Sequence, residues 1–129
     1  MIEKDYFLRA LNTFFQKLSQ YFNSGKDTEI SEEMMRDFYT ELFEKDRDFF
    51  VNSDFNASIN AFNEKFTCEK AKALAEIFYV EMMTSTIDRK KFFATKSLEM
   101  FRYYEQNSNI FDLTAYNKIN KLTQIIKNE

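Results

Sequence analysis

One glycine and no proline in 129 residues constrain this chain more than any other feature of its sequence. Tight reversals, hairpins and sheet corners use these two residues to reach positive φ or to fix a bend. A chain almost without them is expected to be helical throughout. The reading is all-α: a single-domain antiparallel stack of five or six helices over residues 1–129, with short connections between neighbours. That length can bury a sizeable core without disulfides or metals.

The centre of the stack is placed between Thr67 and Asn107, as two helices joined at Thr84 to Ile87. Ala71, Leu74, Ala75, Phe78 and Met82 fall at i, i+3, i+4, i+7 and i+11 of one stripe. Ala73, Ile77 and Val80 widen the stripe until the helix needs neighbours on two sides. Thr67 is the expected N-cap. Thr86 or Asp88 starts the next helix, with Ala94, Leu98 and Phe101 inward and Phe93, Ser97, Met100 and Tyr104 beside them.

Upstream, Phe7, Leu11, Phe14, Leu18 and Phe22 recur at helical spacing from Glu3 to Asn23, and Leu8, Phe15 and Tyr21 widen that face. Gly25 suits a left-handed C-terminal cap and Ser31 an N-cap. A second helix then turns Met35, Phe38, Leu42 and Phe43 inward and ends near Phe50. Asn52-Ser-Asp signals a turn. A short helix from Asp54 to Phe66 would bury Phe55, Ile59, Phe62 and Phe66. Downstream, Asn107-Ser-Asn is a break. Asp112 or Thr114 begins a last helix with Leu113, Tyr116, Ile119, Leu122 and Ile126 inward.

Two stretches carry a resemblance. Lys4-Asp-Tyr-Phe-Leu-Arg9 followed by an amphipathic helix resembles the start of a bacterial family of uncharacterised small helical proteins. So does the close of the chain, a helix from Ser97 to Asn107 followed by Phe111-Asp-Leu-Thr and a terminal helix. The resemblance implies tetratricopeptide-like helical pairs, with one degenerate unit spanning Ala71 to Phe101. It brings no function and no functional residues. The Trp, its adjacent Gly and the closing Pro of such repeats are absent here.

No histidine is present, which excludes Ser-His-Asp and Cys-His catalysis and histidine metal sites. Cys68 stands alone, so neither a cysteine zinc site nor an intramolecular disulfide can form. No glycine-rich loop exists to cradle phosphate. Asp54-Phe-Asn-Ala-Ser-Ile-Asn60 alternates oxygen side chains like half a calcium loop. Ile59 replaces its Gly and Lys65 its bidentate Glu, so a helix cap is the expectation. The charged opening lacks the apolar core of a signal peptide, and no apolar run approaches the roughly 20 residues of a membrane span. Those features read as cytoplasmic, with no membrane partner.

Net charge is −3, with 8 Lys/Arg against 13 Asp/Glu in residues 1–66 and 10 against 8 in 67–129. Glu29, Glu32, Glu33, Asp37, Glu41, Glu44 and Asp48 fall at helical spacing with Arg36, Lys45 and Arg47 among them, the pattern of a solvated face. Asp88-Arg-Lys-Lys-Phe-Phe93 joins three cations to two rings. In an acidic protein that releases few counterions, so nucleic acid is not expected as a partner.

With 16 Phe and 7 Tyr, rings exceed what a core of this size needs, and some should reach the surface. Phe92, Arg102, Tyr103 and Tyr104 are the candidate interaction face. The functional reading is a non-enzymatic helical protein–protein interaction module without a cofactor, binding a peptide, a partner helix or a second copy of itself. The alternatives are a small-molecule or lipid-binding bundle walled by Phe and Met, and a nucleic-acid-associated regulator.

Overall fold

A computed structural model describes the backbone of residues 2–24 and 32–128, with the side chains of 5–20 and 32–128. Every regular element among the described residues is an α-helix. They are α1 (Ile2–Ser24), α2 (Glu32–Phe43), α3 (Arg47–Asn52), α4 (Phe55–Asn60), α5 (Thr67–Thr84), α6 (Ile87–Asn107) and α7 (Leu113–Lys127). The chain groups into two compact units, Met1–Asn52 and Ser53–Glu129, taken in turn below.

In the first unit, Phe7, Leu11, Phe14 and Leu18 form the buried stripe of α1. Leu8 is exposed, off that stripe. Met35, Phe38, Leu42 and Phe43 are buried on α2 as the spacing predicts, and Tyr39 joins them with no exposed surface. The core is built from rings. Phe14 meets Phe38 edge-on at 4.8 Å, Phe50 meets Phe43 at 5.2 Å, and Tyr39 stacks on Phe50 at 6.0 Å. Such pairs add about 0.5–1.5 kcal/mol each beyond their buried area. The expected caps at Gly25 and Ser31, and the side chains of Tyr21 and Phe22, lie outside the described residues.

The second helix does not run to Phe50. Glu44 takes a left-handed φ of 60°, ending α2 after Phe43. Asp46 Oδ1 then accepts the Phe49 N–H at 2.9 Å, which caps a new start. One expected helix thereby becomes two, and the described residues form seven helices.

In the second unit, Asp54 caps α4 by accepting the Ala57 N–H at 2.8 Å. The helix stops at Asn60 instead of reaching Phe66, because Asn63, Glu64 and Phe66 adopt φ of 56°, 60° and 53°. Each left-handed non-glycine residue costs roughly 1–2 kcal/mol. The fully buried Phe62 ring anchors this reversal, whereas Phe55, Ile59 and Phe66 are only half-buried. Thr67 is the first residue of α5 and does not cap it. That position belongs to the left-handed Phe66, which offers no side-chain acceptor.

The stripes of α5 are all buried: Ala71, Ala73, Leu74, Ala75, Ile77, Phe78, Val80 and Met82. Tyr79, Glu76 and Glu81 are buried too, so the helix is covered nearly all round. Ser85 and Thr86 return the chain into α6, which runs antiparallel to α5. Small residues let the two backbones approach: Ser97 Oγ donates to the Ala75 carbonyl at 2.8 Å, and the Phe93 ring lies 6.3 Å from Phe78. Phe93, Ala94, Met100 and Phe101 are buried on α6, with Leu98 and Tyr104 half-buried.

After the break at Ser108, α7 packs through Ala115, Ile119 and Leu122. Lys118 Nζ reaches Glu76 Oε1 on α5 at 2.5 Å and lies 5.0 Å from the Tyr79 ring centroid. Two expected core residues of α7 face outward instead. Leu113 is 60% exposed and Tyr116 44%, because the inward stripe is set by Ala115, Ile119 and Leu122, on the other side of the helix.

The Glu76 side chain is 5% exposed and Lys118 19%, so removing the Glu76 carboxylate takes away the charge that Lys118 meets at 2.5 Å in a largely dry place. Glu76→Ala is expected to destabilise by about 1–3 kcal/mol. The paired change Glu76→Leu with Lys118→Met should recover most of that loss. Urea denaturation of the three proteins checks both statements.

Candidate interaction surface

The turn between α6 and α7 is five residues long and held by its own polar groups. Asn107-Ser-Asn ends α6, with the Ser108 N–H bonded to the Tyr104 carbonyl at 2.9 Å. Ser108 Oγ accepts the Ile110 N–H at 3.2 Å. Asp112 then caps α7, its Oδ1 accepting the Ala115 N–H at 3.1 Å. Its second oxygen takes the Lys72 ammonium from α5 at 2.6 Å and the Tyr104 hydroxyl from α6 at 3.0 Å. One carboxylate therefore ties three helices together. The Lys72 ammonium also lies 5.4 Å from the Tyr104 ring centroid.

These contacts shift both acids. Burial alone would raise the Asp112 carboxyl, but the Lys72 ammonium, the Ala115 N–H and the Tyr104 hydroxyl outweigh it and hold the group below the ordinary aspartate value. Burial raises the Tyr104 phenol, and donation to the Asp112 carboxylate raises it further.

On this fastened support sit apolar side chains in water. Ile110 is 76% exposed and Phe111 72%, and they adjoin Leu113 and Tyr116. The Phe111 and Tyr116 rings lie 5.8 Å apart, Ile110 shares a cleft with Phe111, and Leu113 precedes Tyr116 by one helical turn, so the exposed apolar residues cluster at this turn. A cleft of about 200 Å³ opens beside them, with Phe111, Tyr104, Asp112 and Ala115 among its walls and Glu105 at its rim. A contiguous exposed apolar patch of this kind marks an interaction site far more often than a lone surface leucine does.

The four sequence candidates occupy four different surroundings. Phe92 is 37% exposed and carries the Arg89 guanidinium 4.3 Å from its centroid and the Lys96 ammonium at 5.4 Å. Lys96 also donates to the Ser53 carbonyl at 2.6 Å, and burial lowers its pKa against the opposing pull of Glu99 and Asp54. Tyr103 lies on the same side of α6 as Phe92 but about 16 Å further along, at 1.5 Å per residue. It contacts Phe55 at 5.9 Å and lines an open polar cleft of about 540 Å³ with Asn60, Asn63, Glu64 and Thr67. Arg102 is exposed, and Tyr104 points into the Asp112 junction. Of the four, only Tyr104 adjoins the exposed patch.

Ile110, Phe111, Leu113 and Tyr116 were not among those candidates. Their signal was available: an apolar pair placed between the Asn107-Ser-Asn break and an Asp cap has no helical stripe to join.

The remaining motifs take their plain structural roles. Asp54 is a helix cap, and the oxygens that follow it diverge, Ser58 being buried and Asn60 exposed. Glu32, Glu33, Asp37, Glu41 and Glu44 are exposed, with Arg36 3.6 Å from Glu32. Phe93 enters the core while Arg89 covers Phe92 outside. Cys68 is half-buried, and burial followed by the Glu69 charge raises its thiol pKa, so its position at the start of α5 does not activate it.

Among the described residues no group of three His, Cys, Asp or Glu side chains could hold a metal ion, and no helix is long and apolar enough to cross a membrane. No family model, curated protein or solved structure matches this chain.

Because Asp112 titrates lower when folded than unfolded, it stabilises the protein above the unfolded aspartate value of about 3.9. That stability is lost as pH falls through the lower folded value. Asp112→Asn keeps the cap but loses the charge pair, and should cost about 1–3 kcal/mol near pH 6. The gap between the two proteins should close as pH falls below about 3.9. Denaturation midpoints across that range provide the test. A gap independent of pH would exclude the charged junction.

Proposed function

We propose that this chain is a non-enzymatic helical module for protein–protein interaction, and that its contact surface is the α6–α7 turn with the outer face of α7. The observation that carries the reading is the patch of Ile110, Phe111, Leu113 and Tyr116, exposed to water on a turn that Asp112 fastens to α5 and α6. A patch held in one shape before contact loses little conformational freedom on binding. Rings with a polar tip, such as Tyr116, are favoured where one side is dry and the other wet.

The tetratricopeptide-like character of the α5–α6 pair belongs to the same proposal. It is supported by the antiparallel packing of two helices over small residues, Ala75 against Ser97.

The test is substitution of residues that the fold does not use. Phe111→Ser combined with Leu113→Ser should change stability by no more than about 0.5 kcal/mol, since both side chains are mostly in water. The same protein should lose its partner's grip by tenfold or more, about 1.4 kcal/mol. Site-resolved cross-linking in native lysate, with light scattering for self-association, reads this directly. A wild type that stays monomeric and cross-links to nothing through residues 110–116 would overturn the proposal.

A further inference from the structure

The charge along α7 adds a feature that the apolar patch alone does not have. In a chain of net charge −3, the stretch from Leu113 to Lys127 contains Lys118, Lys121 and Lys127 and no Asp or Glu. Lys118 is turned inward onto Glu76, whereas Lys121 and Lys127 are exposed. At about 100° per residue, the exposed Leu113, Tyr116, Asn117, Asn120, Gln124 and Lys127 fall on one outer strip of α7, and Lys121 flanks it beyond Asn117. The strip runs about 21 Å, or four turns. It is apolar at the turn, amide-bearing in the middle and cationic at the far end.

Two carboxylates near the apolar end shape what can bind. Asp112 is directed inward and covered by the Lys72 ammonium, so it does not repel an acidic partner. Glu105 is exposed at the cleft rim on the α6 side and does repel one. An acidic segment is thus pushed away from the turn and drawn toward Lys121 and Lys127.

We infer that this strip takes an acidic amphipathic helix from a partner protein, its apolar end over Phe111 and Leu113 and its carboxylates along Lys121 and Lys127. The inference rests on the interaction reading above and names the partner's chemistry. A helix laid on an apolar seat, with charges at the rim fixing direction, is a common recognition mode. A second copy of this chain fits less well. Its own acidic helix α2 turns Met35, Phe38, Leu42 and Phe43 into the core and leaves only the half-buried Met34 for an apolar seat. An anionic bilayer also fits less well, because the exposed Asn120 and Gln124 interrupt the continuous apolar face that a bilayer-bound helix buries.

The probe is a fluorescein-labelled synthetic helix of about four turns, with leucines along one face and glutamates confined to one half. It is made with the glutamates first and with the glutamates last, and each has a twin carrying lysines instead. Anisotropy with the whole chain should show one glutamate version binding at least tenfold more tightly than its twin. Added salt should narrow the difference. Lys121→Glu with Lys127→Glu should reverse the preference, and Phe111→Ser should weaken both peptides. If glutamate and lysine peptides bind alike, or if only a dimer lost with Phe111→Ser is seen, the acidic partner is overturned while the interaction module stands. If no peptide binds and the chain instead sediments with vesicles of anionic phospholipid, both are overturned.

Discussion

Because α5 is buried on nearly every side, its inward polar groups have little water to turn to, and each needs a partner within the protein. That need organises the second unit. Glu76 holds Lys118 of α7, Lys72 holds Asp112 at the start of α7, and the Ala75 carbonyl takes the Ser97 hydroxyl of α6. Two of the three bonds cross from α5 to the last helix, at residues 112 and 118, and fix both its starting point and its rotation. A slip of one residue in α7 would break both ion pairs and turn Ala115, Ile119 and Leu122 away from the core. The outward position of Leu113 and Tyr116 follows from that rotation and needs no separate cause.

What could be read in the sequence, and what could not, divides along the same line. Period and inventory marked the eight apolar buried positions of α5 but not Glu76, Tyr79 and Glu81. The cap at Asp54, and Asp112 as one of two starts for the last helix, were legible because a short acceptor stands before each helical run. The break at Glu44 was not legible. Glutamate is a good helix former, and nothing local marks it as left-handed; Asp46 capping a new start supplies the reason. Leu113 and Tyr116 were expected inward because they extend the stripe of Ile119 and Leu122 by simple spacing. Their true side is decided by ion pairs to Glu76 and Lys72, about 40 residues upstream, which no local pattern carries. The candidate face around Phe92 and Tyr103 shared one side of one helix, but distance along the axis separates them, and each ring found a different neighbour.

The near absence of glycine leaves its mark on how the chain turns. Glu44, Asn63, Glu64 and Phe66 all take positive φ, a conformation glycine would adopt without steric cost. Three of them lie in one reversal, between Phe62, which has no exposed surface, and the buried run of α5. Lys70 helps to close that reversal, its ammonium 3.4 Å from the Phe62 carbonyl and 6.0 Å from the Phe66 ring centroid. Strain of this kind persists only where surrounding packing over-determines the backbone. Here a ring supplies what a glycine would otherwise have made unnecessary, which is one use of so many phenylalanines.

The turn before α7 is built in the opposite manner. It contains no positive φ among its residues, it is tied by Ser108 and Asp112, and it places Ile110 and Phe111 in water instead of in the core. A chain that elsewhere tucks phenylalanines into strained reversals leaves one here on an unstrained and firmly held support. Exposed apolar surface on a rigid seat does nothing for folding, since its burial contributes only when something else covers it. The same seat lowers the entropy lost when a partner does so. The fastening of Asp112 and the exposure of Phe111 are therefore two halves of one arrangement. In the proposed complex that apolar surface is covered, and the acid-free face of α7 gives the complex its direction.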